Sequence, residues 1–296
     1  NTTLLIKALY NLAYIQVEEK GYDYMVKTLT EKCIPLSKKI NNRELLAYSY
    51  TQLGLTFMSV GQFDKADEYH KEALKQFNDK ENSSTSKLLT ELNLVSNYCY
   101  KPDSKSAKRH LDNAKKILQK YPNSQHFANY YYQEAMYYTT IQDYDKSLAS
   151  LNLGLKRAKD NNQSKLLNML YFRMYNVHLM QKDYPKAKAQ LEKILKDNVI
   201  SREAINRKIT YTQLAAVNDV LGNHKEAYTW MKKSSTLSDS LQQQKLLEKM
   251  QELEILHQTA DKKQIISKLE QEKKENELIA KNKNLRISIL AIALLL

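Results

Sequence analysis

The sequence predicts an all-α protein, a right-handed solenoid of about six stacked helix pairs followed by one long C-terminal helix. Composition favours helices, because the 296 residues include only 5 Gly and 4 Pro while good helix formers such as Leu, Lys, Ala and Glu are abundant. A sequence pattern also returns six times at a spacing of 40 or 41 residues. Such self-similarity is typical of repeat proteins whose units stack on their neighbours.

The repeat is clearest in its second copy, which reads Tyr50-x-x-Leu-Gly54-x-x-Phe57 and then Gly61-Gln-Phe63-Asp-Lys-Ala66, His70 and Ala73. A small residue such as Gly54 lets the first helix of a pair approach the second, and Ala66 fits the same crossing. The pattern resembles the tetratricopeptide repeat (TPR), whose usual period is about 34 residues. The longer period here predicts helices extended by close to one turn.

The position of Ala66 recurs in every copy, as Val26, Ala66, Ala107, Ser147, Ala187 and Ala227. It divides residues 1–240 into repeats of about 1–41, 42–82, 83–122, 123–162, 163–200 and 201–240. The first and third copies are degenerate, because Tyr14 and Val95 stand where the second copy has Gly54.

The formal charge of +13 lies mostly in the first 240 residues, as single Lys residues on predicted helix faces. No Arg stripe with interleaved aromatic residues and no zinc-finger spacing accompanies it. The charge pattern therefore favours solvated helix faces over direct binding of nucleic acid by this segment. An acidic partner or an anionic membrane surface is compatible with it.

The sequence contains no pattern that indicates catalysis, a cofactor or a metal site. The 5 glycines form neither a phosphate-binding loop nor a dinucleotide fingerprint, and the 6 histidines are scattered. Cys33 and Cys99 lie in non-adjacent repeats and predict free, buried thiols, since a disulfide needs Cα atoms within about 7 Å. A binding protein is therefore favoured over an enzyme.

Residues 241–286 contain no Gly and no Pro and predict one long helix. Its apolar residues keep 3-4 spacing in two blocks with a break between them: Leu246, Met250, Leu253 and Ala260, then Ile265, Leu269 and Ile279. Two interpretations are open, a solvated single helix or a coiled-coil stalk that joins two copies in a homodimer.

Residues 287–296 are apolar except for Ser288 and predict the start of a transmembrane helix, which would continue beyond residue 296 because a span needs about 20 residues. The alternative is a hydrophobic helix end that packs on the solenoid or on a partner. The chain also begins at Asn1 without Met, which indicates a fragment or a processed product.

The chain resembles a bacterial family of membrane-anchored TPR sensors in the order of its segments. A long-period TPR array is followed by a Lys/Glu-rich helix, with Glu-Lys-Lys-Glu-Asn-Glu-Leu at residues 272–278, and then by an apolar segment. In that family a transcriptional regulator or a histidine kinase follows the membrane segment. The resemblance implies an inner-membrane protein with a periplasmic solenoid. Eight Lys or Arg residues between Lys262 and Arg286 favour the cytoplasmic alternative.

The TPR resemblance also implies a ligand groove on the concave face, lined by fixed positions of the first helix of each pair. Those positions hold Tyr48, Thr51, Leu92, Tyr100, Asn129, Tyr132, Met136, Phe172, Asn176, Met180, Thr212 and Asp219. Tyr and Met can bury apolar side chains and Asn can bond an extended backbone, so this lining predicts a peptide or protein ligand. In the alternative, many of these residues are packed core.

Three functional hypotheses follow from these patterns. The first is the ligand-binding sensor of a membrane-anchored signalling protein whose output domain lies beyond residue 296. The second is a cytosolic regulator that responds to peptides, and the third is a structural scaffold for protein–protein interaction.

Overall fold

The computed structural model describes residues 2–77, 85–197 and 200–293, with the backbone alone described at residues 18, 280 and 282–293. Throughout these ranges the chain consists of helices joined by turns and short loops, which confirms the predicted all-α class. By its internal contacts the chain divides into two units, Asn1–Met231 and Lys232–Leu296.

The first unit is built from helix pairs, and we call the first helix of each pair the A helix and the second the B helix. In chain order the pairs are α1 (Thr2–Ile15) with α2 (Val17–Thr28) and α3 (Ile34–Lys39), α4 (Arg43–Ser59) with α5 (Phe63–Leu74), α6 (Thr85–Tyr100) with α7 (Ser104–Gln119), α8 (Phe127–Thr140) with α9 (Tyr144–Asp160), α10 (Ser164–Met180) with α11 (Tyr184–Lys196), and α12 (Ala204–Val220) with the start of α13 (His224–Ala293). A π-helical turn, Leu29–Cys33, joins α2 to α3.

The turn from an A helix to its B helix has the same construction in successive pairs. Its central residue has a positive φ, and this position holds Gly61 (74°), Gln142 (60°), Lys182 (58°) and Gly222 (76°). The B helix then begins after an N-cap, which in α7, α9 and α11 is an Asp whose carboxylate accepts a hydrogen bond from the backbone N–H three residues on. These local signals explain why each pair folds back on itself.

The small residues of the repeat mark the places where A and B helices approach. The Cα of Gly54 faces the ring of His70, which is completely buried, and Ala66 is buried in the same crossing. In the first pair Ala13 is buried while Tyr14 is 65% exposed. The degenerate first copy is therefore shifted by one residue from the alignment that places Tyr14 on Gly54.

Neighbouring pairs are joined by an apolar core and by hydrogen bonds between A helices. The core is continuous within groups of pairs, and its largest cluster extends from α8 to α12. Hydrogen bonds link side chains about one repeat apart, including Thr51 with Thr90 at 2.8 Å and Tyr175 with Gln213 at 2.7 Å. Each pair thus contacts the next in the sequence, as expected of a solenoid.

The second unit consists of the remainder of α13, and its described side chains from residue 242 onward are exposed. The helix is long but rich in Lys and Glu, and the apolar run begins only at Ile287. No helix in the described part of the chain is both long and apolar enough to cross a membrane. This finding contradicts the predicted inner-membrane location. The start of a transmembrane helix at residues 287–296 stays a prediction, since the structure describes only the backbone of residues 287–293 and residues 294–296 lie outside the described part.

Candidate ligand-binding groove

A cavity of about 1100 Å³ lies along the A helices α4, α6, α8 and α10. Their periodic side chains form its floor, and residues 162–166 at the start of α10 form part of its rim. We call this cavity the A-helix groove. Its volume suits a small ligand or several side chains of a peptide.

The lining of the A-helix groove combines apolar and amide side chains. Leu55, Met58, Met136 and Met169 supply flexible apolar surface. Among the amides, the side chains of Asn93 and Asn129 are half-buried and make no hydrogen bond to any other described residue. These residues can therefore accept an apolar side chain and offer paired donors and acceptors to a ligand backbone.

Charge is nearly absent from this lining. The groove is lined by Lys165 but by no Asp or Glu of the described residues. His126 also lines it, and burial lowers the pKa of that imidazole, so the side chain is neutral at pH 7. The groove is thus weakly positive, and no carboxylate of the described residues lines it.

Four of the residues predicted from the repeat alignment lie together in the groove, namely Tyr100, Asn129, Tyr132 and Met136. Tyr100 is 54% exposed, whereas Tyr132 and Met136 are buried at the base. Gln133 accepts a hydrogen bond from Ser96 at 2.6 Å, and both residues also line the groove. Assignment of these residues to ligand binding stays a prediction.

The remaining predicted positions lie outside this cavity, at different depths. Leu92 is fully buried and Thr51 is bonded to Thr90, so both belong to the packed interface between pairs. Tyr48 is half-buried with its ring edge-on to Tyr10 at 5.3 Å, and burial raises the pKa of its hydroxyl. Four of the predicted positions on α10 and α12 are exposed, namely Asn176, Met180, Thr212 and Asp219. Phe172 on α10 is half-buried.

A second cavity, of about 860 Å³, continues the groove toward the N-terminal pair. Its lining is mainly aromatic and aliphatic and includes Tyr10, Tyr14 and Met25. Leu55 and Ser59 line both cavities, so the two share the exposed edge of α4. Sequence alignment missed this extension because the first repeat is degenerate.

Arg173 on α10 is a further residue near the groove that the alignment did not predict. Its guanidinium carbon lies 5.2 Å from the centre of the Tyr132 ring, and Nη2 donates a hydrogen bond of 2.9 Å to the Tyr132 hydroxyl. Burial alone would lower the pKa of Arg173, but the hydroxyls of Tyr132 and Tyr100 outweigh it and raise that pKa. The arginine is therefore a cation held against Tyr132, which lines the groove.

Comparison with solved structures identifies the same architecture in other proteins. BtubC (BKLC) from P. vanneervenii superposes with a TM-score of 0.59 at 15% identity, over 76% of this chain and 93% of that one. The fold is that of a TPR-like solenoid. A signal transduction ATPase with numerous domains (STAND) and a TPR sensor, from Pyrococcus horikoshii, gives a TM-score of 0.58 at 17% identity, over 78% of this chain and 35% of that one.

Aspartyl phosphate phosphatase F from Bacillus subtilis is similar over 81% of this chain and 61% of its own length, with 14% identity and a TM-score of 0.56. At such identities the likeness concerns the fold alone. No family model and no curated protein matches the sequence. The predicted fold class is confirmed, and function must be argued from the groove itself.

Proposed function

We propose that this chain is a peptide- or protein-binding module whose ligand lies in the A-helix groove. The observation that carries the proposal is the pair Asn93 and Asn129, two groove amides without hydrogen-bond partners among the described residues. An extended peptide backbone would satisfy both amides, while its apolar side chains would be buried against Met58 and Met136.

The continuity of the two cavities supports an elongated ligand rather than a compact one. From α1 to α10 the exposed edges of five A helices follow one another, and packed helices are spaced by about 8–10 Å. An extended peptide of roughly ten residues matches such a distance at about 3.3 Å per residue. Support also comes from the P. horikoshii protein, whose TPR region is described as a sensor.

The proposal is tested by selecting binders from a synthetic library of ten-residue peptides and measuring their affinity by fluorescence anisotropy. Asn129→Ala together with Met136→Ala should weaken binding at least tenfold, because one variant removes backbone contacts and the other removes apolar contacts. Asn152→Ala is the matched control, since Asn152 is exposed on the B helix α9. Equal losses in the groove and control variants would contradict the proposal.

We also propose that two copies of the chain associate through α13. The described side chains of Leu246, Met250 and Leu253 are all more than half exposed and recur at 3-4 spacing. A second copy of the same stripe would bury them in a coiled coil. Changing all three to Gln should convert a dimer to a monomer in multi-angle light scattering, and a wild-type chain that is monomeric at high micromolar concentration would exclude this association.

The link to a transcriptional regulator or a histidine kinase concerns residues beyond 296 and stays a prediction. Peptide-responsive regulation is the form of the hypothesis that the groove supports best. It requires only a ligand in the groove and a partner that distinguishes the bound from the free state.

A further inference from the structure

Arg173 has no acidic partner in the described part of the chain. No described carboxylate lies within 4.0 Å of its guanidinium, although most of the ion pairs in this protein join Lys to Asp or Glu at shorter distances. Burying a cation without an anion is unfavourable unless other groups compensate. Arg173 is half-buried, and the ring and hydroxyl of Tyr132 and the nearby hydroxyl of Tyr100 compensate its charge in part.

The two tyrosines connect this cation to the A-helix groove. Both line the cavity, and the ring of Tyr100 is held in place by stacking on Phe63 at 5.3 Å. Because the Tyr132 hydroxyl accepts a hydrogen bond from Arg173, its own proton is free to be donated to another acceptor. A hydroxyl that accepts from a cation is a stronger donor, since the hydrogen bonds of such a chain polarise one another.

We propose that the Arg173–Tyr132–Tyr100 cluster binds a carboxylate of the peptide in the A-helix groove. The inference rests on the proposed function and adds to it the chemistry of one ligand group. A carboxylate would accept from the two hydroxyls and supply the negative charge that Arg173 lacks. No Asp or Glu of the described residues lines the cavity, so no described carboxylate there repels an anion.

Lys165 provides a control for the general attraction of anions. It lines the same groove but is exposed on the first turn of α10. An exposed ammonium attracts an anion weakly, because water screens it. If Arg173 forms a specific site, removing its charge should weaken peptide binding more than removing the charge of Lys165.

The test uses the ten-residue peptide library in three versions. The first has a free C-terminal carboxylate and no acidic residue, the second is amidated with one Asp or Glu, and the third is amidated without acidic residues. The best binders of each version are measured by fluorescence anisotropy against the full chain and against Arg173→Met and Lys165→Met.

Peptides with a carboxylate should bind best to the unaltered chain, and the first or second version identifies its source. Arg173→Met should weaken those peptides by roughly tenfold to a hundredfold, the range for a lost charge-assisted contact. Lys165→Met should weaken them less than about threefold. Tyr132→Phe keeps the ring that packs on Arg173 but removes the hydroxyl, and a severalfold loss is expected for peptides with a carboxylate but not for peptides without one.

The carboxylate site would be overturned if the unaltered chain bound the third version as tightly as the first two. It would also be overturned if Arg173→Met and Lys165→Met weakened the binding of carboxylate peptides equally. If Asn129→Ala still weakens the binding of the neutral peptides of the third version, the proposed function stands and only this inference fails. If no peptide of any version binds, both fail.

Discussion

Replacing Gly54 by Ala tests whether the close crossing of α4 and α5 determines the stability of the second pair. A Cβ at residue 54 would lie 2.5 Å from Nδ1 and 2.7 Å from Nε2 of His70, and closer still to Cε1. Carbon atoms in optimal contact are about 3.5–4.0 Å apart. The His70 ring is completely buried, so it cannot move away without displacing its neighbours.

The expected cost follows from two opposing effects. Overpacking of a buried site costs about 1–3 kcal/mol, and the short distances to the His70 ring place this substitution at about 2–3 kcal/mol. Ala in place of Gly inside a helix returns about 1 kcal/mol through its higher helix propensity. We therefore expect Gly54→Ala to lower the free energy of unfolding by roughly 1–2 kcal/mol, measured by urea unfolding monitored by circular dichroism.

A double-mutant cycle with His70→Ala assigns this cost to the predicted contact. Without the imidazole, Gly54→Ala should stabilise the protein by about 1 kcal/mol, because only the helix-propensity effect remains. Gly154→Ala is a second case of the same kind, since a Cβ there would lie 2.8 Å from Cδ2 of Leu170, which is also completely buried. A Gly54→Ala variant that is as stable as the unaltered chain would refute the reasoning.

Three further predictions concern stability. Burial lowers the pKa of His70 to about 4, so the unfolded chain takes up more protons between about pH 6.5 and pH 4. Stability should fall by about 3 kcal/mol as the pH decreases through this window, and urea titrations of His70→Phe should lack this component. Lys182 has a φ of 58° where Gly61 has 74°, so Lys182→Gly should raise the free energy of unfolding by about 1 kcal/mol and Gly61→Ala should lower it similarly. Asp143 caps α9 through the N–H of Lys146 at 3.2 Å, and Asp143→Ala should lower the melting temperature, whereas Asp145→Ala in the same turn should lower it less. The first prediction is contradicted if His70→Phe leaves the pH dependence unchanged, and the second if Lys182→Gly is less stable than the unaltered chain. The third is contradicted if the two Asp substitutions have equal effects.

The helix pairs could be predicted from the sequence because their signals are local or strictly periodic. Small residues such as Ala66 and Ala107 return at one spacing, and both are fully buried where the helices cross. The first pair was predicted less well, since its small residue is Ala13 and the alignment placed Tyr14 there. A one-residue shift is invisible where a copy has lost its Gly.

The composition of the groove could be predicted only in part. Periodicity identifies the face on which a residue lies, but it does not determine how deeply the next helix pair covers that face. Leu92 and Asn129 occupy comparable faces, yet Leu92 is completely buried between pairs. The contact of Arg173 with Tyr132 joins residues 41 positions apart, and no local pattern indicates it.

The predicted inner-membrane location failed for a different reason. It depended on an apolar run at the end of the sequence, extended by a resemblance of architecture. The helix that contains the run is long, but its apolar residues with described side chains are separated by Lys and Glu, which a membrane interior disfavours.

Photo-cross-linking from the A-helix groove tests the central claim most directly. A photoreactive phenylalanine analogue at Asn129 lies in the groove, and the same group at Asn152 lies on the exposed surface of α9. If a library-selected peptide binds along the A helices, it should be captured covalently from residue 129 and not from residue 152. Capture from residue 152 alone, or equal capture from both positions, would contradict binding in the groove.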